Sequence, residues 1–429
     1  AWDRSRERCF VALARAAALV IAGDEEGAAV GLDAALTEIG LDDPLANGEL
    51  RRFLPYGYVL SPLIREHLDV RADEFGPWHV ERRRLAALVV DLREGRRPDW
   101  SAYVGPESTL CALPLPWSVE VAAGLMRHDR SAGIALAEYL LAVNGTATHR
   151  LLRAAARTPA SGAEAILAAL PKPPATPTRI TVCGDLAVAS GQRVEHPNRE
   201  RVRQLLALLV LRRSVSRDEA VELLWPHLEP RNARQNLATT LNYARRSLEP
   251  DREKGEAPFH LRAERDRIWL HRSPELSSDA WDIDSLLVTA AELDVKGEKA
   301  EAMELREQAV RMWSGAAFVD LVDLTELSGE LAALGNGLVA AAVSLAQWRL
   351  SEDRIADAIG IANQLLEDNP LEERAHAVVI AAYLAAGDLA STGEAIDDCL
   401  RVLTENGLEP TAPTAMLLRR FEQRQADTG

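Results

Sequence analysis

Apolar residues recur at spacings of three and four along most of this chain, the period of helices that bury one face. Over the first 170 residues the stretches Arg8 to Ala22, Glu25 to Ile39, Trp78 to Glu94, Ser118 to Arg127 and Ser131 to Val143 read as helices. Gly40, Pro55, Pro62, Gly76, Pro77 and Pro98 punctuate them. Successive helices with short joints predict an α-solenoid-like arrangement, although no strict repeat period is visible.

The pattern changes at Pro171 to Thr178, PKPPATPT, where four prolines in eight residues predict an extended spacer. Beyond it Arg179 to Val188 is β-like, followed by a glycine turn and Val194. Three helical stretches come next, Arg199 to Arg213, Ser216 to Trp225 and Pro230 to Leu248. Ser216 and Glu219 form a capping-box pattern, and Pro230 suits a first helical turn. Phe259 to Leu270 then reads as two short strands around a charged turn. From Ser273 helices return, near 283–293, 297–313, 326–350, 353–367, 371–386, 389–405 and 412–425. Gly297 to Ala302 resembles Asp353 to Ala358, and Asp388 follows Asp353 by 35 residues, close to a tetratricopeptide period. The expected architecture is mainly α. A helical, repeat-like domain spans 1–170 and a linker 171–178. An α/β domain of strands, three helices and a hairpin spans 179–272, and a tetratricopeptide-like helical domain 273–429.

Aromatic residues are only 5% of the chain, which disfavours an all-β fold. The net charge of -16 is unevenly spread. Residues 1–170 carry 19 basic and 23 acidic side chains, 171–272 carry 19 and 13, and 273–429 carry 11 and 29. The only basic segment is thus the one with the strand, three-helix and hairpin order, and clustered arginine there favours phosphate partners. Cys9, Cys111, Cys183 and Cys399 lie too far apart for a zinc or redox pair and read as small buried residues of a reducing, cytoplasmic compartment. The apolar run from Phe10 to Gly23 is too short to span a bilayer and contains Arg15, so no membrane partner is expected. The chain begins at Ala1, which suggests a piece of a larger regulator.

The helix over 230–248 carries the candidate chemistry. Leu237, Leu241, Ala244 and Leu248 form its apolar stripe. The opposite face holds Asn232, Gln235, Thr239, Asn242, Tyr243 and Arg246, with Arg234 beside them and no carboxylate among them. Amide, hydroxyl and guanidinium groups suit base edges and phosphates, whereas a carboxylate would repel the backbone. The hairpin adds Arg262, Arg265 and Arg267, interleaved with Glu264 and Asp266. Arg199, Arg201 and Arg203 are further candidates for phosphate contact.

These residues carry a family resemblance. RQLLALLVL, VSRDEAVELLWP, ARQNLATTLNYARRSLEP and the ending IWLHR resemble the response-regulator-type winged helix of the streptomycete antibiotic regulatory protein (SARP) family. WDIDSL, RMWSGAAF, LLEDNPLEERAHAVVIAAYLAAGD and ENGLEPTAPTAMLLRRF resemble the bacterial transcriptional activator domain that follows it in that family. The resemblance covers about 245 residues. It implies double-stranded promoter DNA as partner, with the third helix in the major groove and the wing over an adjacent groove. It further implies contacts with RNA polymerase or with a second copy of the chain, and transcriptional activation. Arg245 matches the family's arginine near the end of that helix. Ala244 stands where leucine is usual and Tyr243 where arginine is frequent, which alters the expected base preference.

No P-loop, HExxH, GxSxG, GxGxxG or EF-hand pattern occurs, and the nine histidines are scattered. No enzymatic activity, cofactor or metal is expected. The alternative reading is a protein-interaction scaffold whose winged helix no longer binds DNA. An acidic C-terminal segment that screens the basic one until released is a further expectation.

Overall fold

The computed structural model describes residues 2–39, 49, 51–70, 76–158, 162–313 and 317–428. Gly40 and the centre of the RMWSGAAF motif, residues 314–316, lie outside the described residues. The chain is mainly α and divides into two compact units. One comprises 1–175, 251–259 and 271–275; the other comprises 176–250, 260–270 and 276–429.

The first unit is built from helices α1 (Trp2–Ala22), α2 (Glu25–Ile39), α3 (Leu54–Leu60), α4 (Pro62–Val70), α5 (Pro77–Arg93), α6 (Pro106–Ala112), α7 (Leu115–Leu125), α8 (Arg130–Asn144), α9 (Thr146–Ala155) and α10 (Ala163–Ala169). Successive helices pack against one another, α1 on α2 and α7 on α8, around one continuous apolar core. Trp117 lies at its centre, fully buried, and its indole Nε1 donates to Glu25 Oε1 at 2.8 Å. That bond matters because a buried indole N–H without an acceptor would be costly. The sequence pattern missed α3, α4, α6, α9 and α10, which span ten residues or fewer and so show few helical periods.

The second unit opens with β1 (Thr178–Thr181), β2 (Ala187–Ser190) and β3 (Arg193–Glu195). The expected single β-like stretch is in fact two strands, and Gly191, at a φ of 59°, makes the turn from β2 to β3. Then come α11 (Glu200–Arg212), β4 (Ser214–Ser216), α12 (Arg217–Leu224) and α13 (Pro230–Leu248). The capping box at Ser216 and Glu219 forms in both directions, and Pro230 occupies the first turn of α13. Strands β5 (Leu261–Ala263) and β6 (Arg267–Leu270) make the hairpin, which β4 extends to a sheet of order β4-β6-β5.

The next strand, β7 (Leu276–Ser278), was expected to be helical. It pairs with β1 in parallel and completes a sheet of order β3-β2-β1-β7. Helices α14 (Asp279–Lys296), α15 (Lys299–Met312), α16 (Ser328–Ser351), α17 (Ile355–Asp368), α18 (Glu373–Ala386), α19 (Leu389–Glu405) and α20 (Ala412–Thr428) follow. Each of α14 to α19 packs on the next, the neighbour-to-neighbour stacking of tetratricopeptide-like repeats. Gly297 and Gly387 end their helices in the left-handed conformation that favours glycine. The segment Thr325–Ser351 is apolar and long enough to cross a membrane by length and composition, and its Leu338, Ala342, Leu345 and Ala346 are buried in the core of the stack.

The basic segment and the helices after it share a core. Leu205, Leu206, Leu209, Leu237, Leu241 and Leu248 pack in one cluster with Leu276, Ala280, Phe318, Leu321, Leu324 and Leu327. Sheet and core therefore run across the boundary expected at 272–273.

Candidate nucleic-acid interface

Helix α13 has an unbroken buried side, Ala233, Leu237, Leu241, Ala244 and Leu248, with the hydroxyls of Thr240 and Ser247 at its edge. The spacing that buries these residues turns Gln235, Thr239, Asn242 and Arg246 outward at i, i+4, i+7 and i+11, and all four are exposed. No Asp or Glu occurs anywhere in the helix, which carries Arg231, Arg234, Arg245 and Arg246. Gln235, Asn242 and Arg246 make no side-chain hydrogen bond among the described residues, and Thr239 Oγ1 donates to the carbonyl of Gln235 at 3.1 Å.

The two flanks of this stripe differ. Asn236 and Tyr243 lie on the side that faces the start of α11, and Thr239 borders it. There Arg199 Nη2 donates to the Tyr243 hydroxyl at 3.0 Å, and its guanidinium sits 3.8 Å from the ring centroid. On the other side Arg245 Nε donates to the Leu261 carbonyl at 3.0 Å, which fixes the hairpin against the helix. Arg234 pairs with Asp218 at 3.1 Å, both well exposed.

The hairpin is held by Arg217, a residue the sequence did not single out. Its backbone N–H donates to the Asp266 carbonyl and its Nε to the Glu264 carbonyl, both at 2.7 Å. Arg265 is exposed at the tip. Arg267 is exposed but donates to Ser214 Oγ at 2.7 Å, and Arg262 is half-buried on β5. The structure thus assembles Asn232, Gln235, Thr239, Asn242 and Arg246 on one open face. It engages Tyr243, Arg234 and Arg267 with partners in the same unit. A helical wheel alone would have added Asn236.

Several arginines of the basic segment face the acidic helices instead. Arg203 pairs with Asp320 at 2.7 Å, and only 29% and 12% of the two side chains are exposed. Arg179 pairs with Asp282 at 2.7 Å. Arg212 bonds to Glu330 and Glu219; the bond to Glu330 raises the arginine's pKa and lowers that of Glu330. Arg201 pairs instead within its own helix, with Glu200 at 4.0 Å and Gln204. These partners account for part of the segment's positive charge before any ligand arrives.

No curated protein matches the chain. Among solved structures, EmbR of Mycobacterium tuberculosis in complex with a low-affinity phosphopeptide aligns at a TM-score of 0.47 and 20% identity. The alignment covers 58% of this chain and 66% of that one, so this chain spans just under two thirds of that protein's length. The tetratricopeptide domain of P58(IPK) aligns at a TM-score of 0.26 and 12% identity, over 98% of this chain and 89% of that one. At these scores neither likeness bears on function. A family model does match part of the chain: residues 278–421, from the end of β7 to α20, match the model of the bacterial transcriptional activator domain.

Proposed function

We propose that the chain is a cytoplasmic, DNA-binding transcriptional activator of the SARP type. Helix α13 enters the major groove, and the hairpin tip with Arg265 lies over the adjacent groove. The carboxylate-free, outward stripe of α13 carries this reading: polar and cationic groups at helical spacing can meet successive base edges. Its fusion to a bacterial transcriptional activator domain supplies the regulatory context. In this reading residues 278–421 contact RNA polymerase or a second copy of the chain, and the helical first unit regulates.

The test is fluorescence anisotropy of the full chain on labelled DNA from its own promoter, across a salt series, beside an unrelated duplex of equal length. Binding should weaken steeply with salt and favour the promoter duplex. The double change Gln235→Ala, Arg246→Ala should abolish that preference, at about 1–3 kcal/mol for each base-edge interaction removed, while residual binding persists. Equal binding of both duplexes by the unaltered chain would remove the recognition role of α13. No binding to either would favour the interaction scaffold.

A further inference from the structure

Resting on the DNA-binding reading, we propose that Arg199, held by Tyr243, is a backbone phosphate contact, and that Tyr243 is a positioning residue and not a reader of bases. An α-helix in a major groove faces base edges along its central stripe and has a phosphate backbone along each flank. On α13 the central stripe is Gln235, Thr239, Asn242 and Arg246, and Tyr243 lies off it, toward the start of α11.

The Tyr243 side chain is occupied at both of its binding features. Its face stacks with the Arg199 guanidinium and its hydroxyl accepts from Arg199 Nη2. Arg199 itself remains exposed and has no carboxylate partner among the described residues. Stacking on a ring fixes a guanidinium's plane without neutralising it, and leaves N–H groups free for an anion. The neighbouring arginines are committed to carboxylates: Arg201 pairs with Glu200 at 4.0 Å and bonds to Gln204, and Arg203 pairs with Asp320. Glu200, the nearby carboxylate, accepts from Gln204 Nε2 at 3.1 Å. Of the three arginines around the start of α11, Arg199 is therefore the one presented outward on a flank of the recognition stripe. The hairpin lies on the other flank, so the two cationic elements bracket the stripe as the two backbones bracket a groove.

The salt dependence of binding by the full chain, on the promoter duplex and on the unrelated duplex, tests this. Arg199→Ala should reduce the slope of log K against log salt by about 0.9, the share of a single neutralised phosphate, on both duplexes. Preference between the duplexes should be unchanged. Tyr243→Phe keeps the stacking ring and should keep most of the slope. Tyr243→Ala should reproduce the Arg199→Ala slope, and the double change should lower it no further, since the two residues act as one unit. An unchanged slope in Arg199→Ala, while the unaltered chain binds with steep salt dependence, would overturn this proposal and leave the DNA reading standing. Loss of duplex preference in Tyr243→Phe would make Tyr243 a base reader and overturn it too. Absence of salt-dependent binding by the unaltered chain would remove both.

Discussion

His260 is fully buried beside the start of β5, and its burial lowers the imidazole pKa to about 4. In the unfolded chain the same group titrates near 6.5. Between these values the unfolded state binds the proton and the folded state does not, so stability is lost as pH falls from about 6.5 toward 4. The full loss is about 3 kcal/mol for this one group. Thermal melts across that range should show it, and His260→Gln should flatten the acid side of the profile. An identical profile in the variant would place the acid sensitivity elsewhere. Nothing in the sequence marks His260 as buried. Nor does the sequence mark Arg213, which adopts a φ of 64° and lays its guanidinium 3.2 Å from the Trp281 ring centroid. A non-glycine residue in that conformation is held by its surroundings, here by a ring 68 positions away.

Among the elements, the long helices were legible and the short or non-local ones were not. The helices from 279 to 428 have a repeating apolar face, and their expected spans agree with the structure to within a few residues. The strand β7 was missed because three residues carry no periodicity and a parallel partner lies about a hundred positions back. Its joint with β1 is closed by Asp279, whose buried carboxylate accepts from the backbone N–H groups of Val182 and Cys183 at 2.9–3.0 Å. Asp279→Ala would leave those two donors buried without an acceptor, at a cost of about 2–4 kcal/mol. Urea denaturation should show a midpoint lowered accordingly; a shift under about 0.5 kcal/mol would mean that water replaces the carboxylate. The carboxylate-free stripe of α13 was readable from sequence, since a helical face follows from spacing alone. Which of its flanking arginines remain outward was not.

For the molecule as a whole, most of the basic segment (176–250 and 260–270) and the helices after it form one folding body in the second unit. Phe318, Leu321, Leu324 and Leu327 complete the core around α11, and Trp281 Nε1 donates to the Val210 carbonyl at 2.8 Å. A chain truncated after Arg272 would lack those side chains and β7. At about 1.5–3 kcal/mol for each large apolar side chain, the deficit is comparable to the whole stability of a domain. Thermal unfolding of the truncated chain should therefore keep only the transition of the first unit; a second cooperative transition would show that 176–250 and 260–270 fold without the helices after them. The packing also bears on the expectation of an acidic screen. Helices beyond 279 pack on α11 and β1, and the stripe of α13 remains exposed.

What the sequence determined by itself was whatever depends on neighbours within a few residues. That includes helix periods, the capping box at Ser216, the repeat-like frame of the C-terminal half and a polar α13 face without carboxylates. Only the tertiary structure decided how the charges are used. Arg179, Arg203 and Arg212 are consumed by Asp282, Asp320 and Glu330, whereas Arg199 is stacked on Tyr243 and left outward. A net charge counts side chains but not their partners, and those partners lie 44 to 118 residues away, brought together by a core that no local pattern encodes.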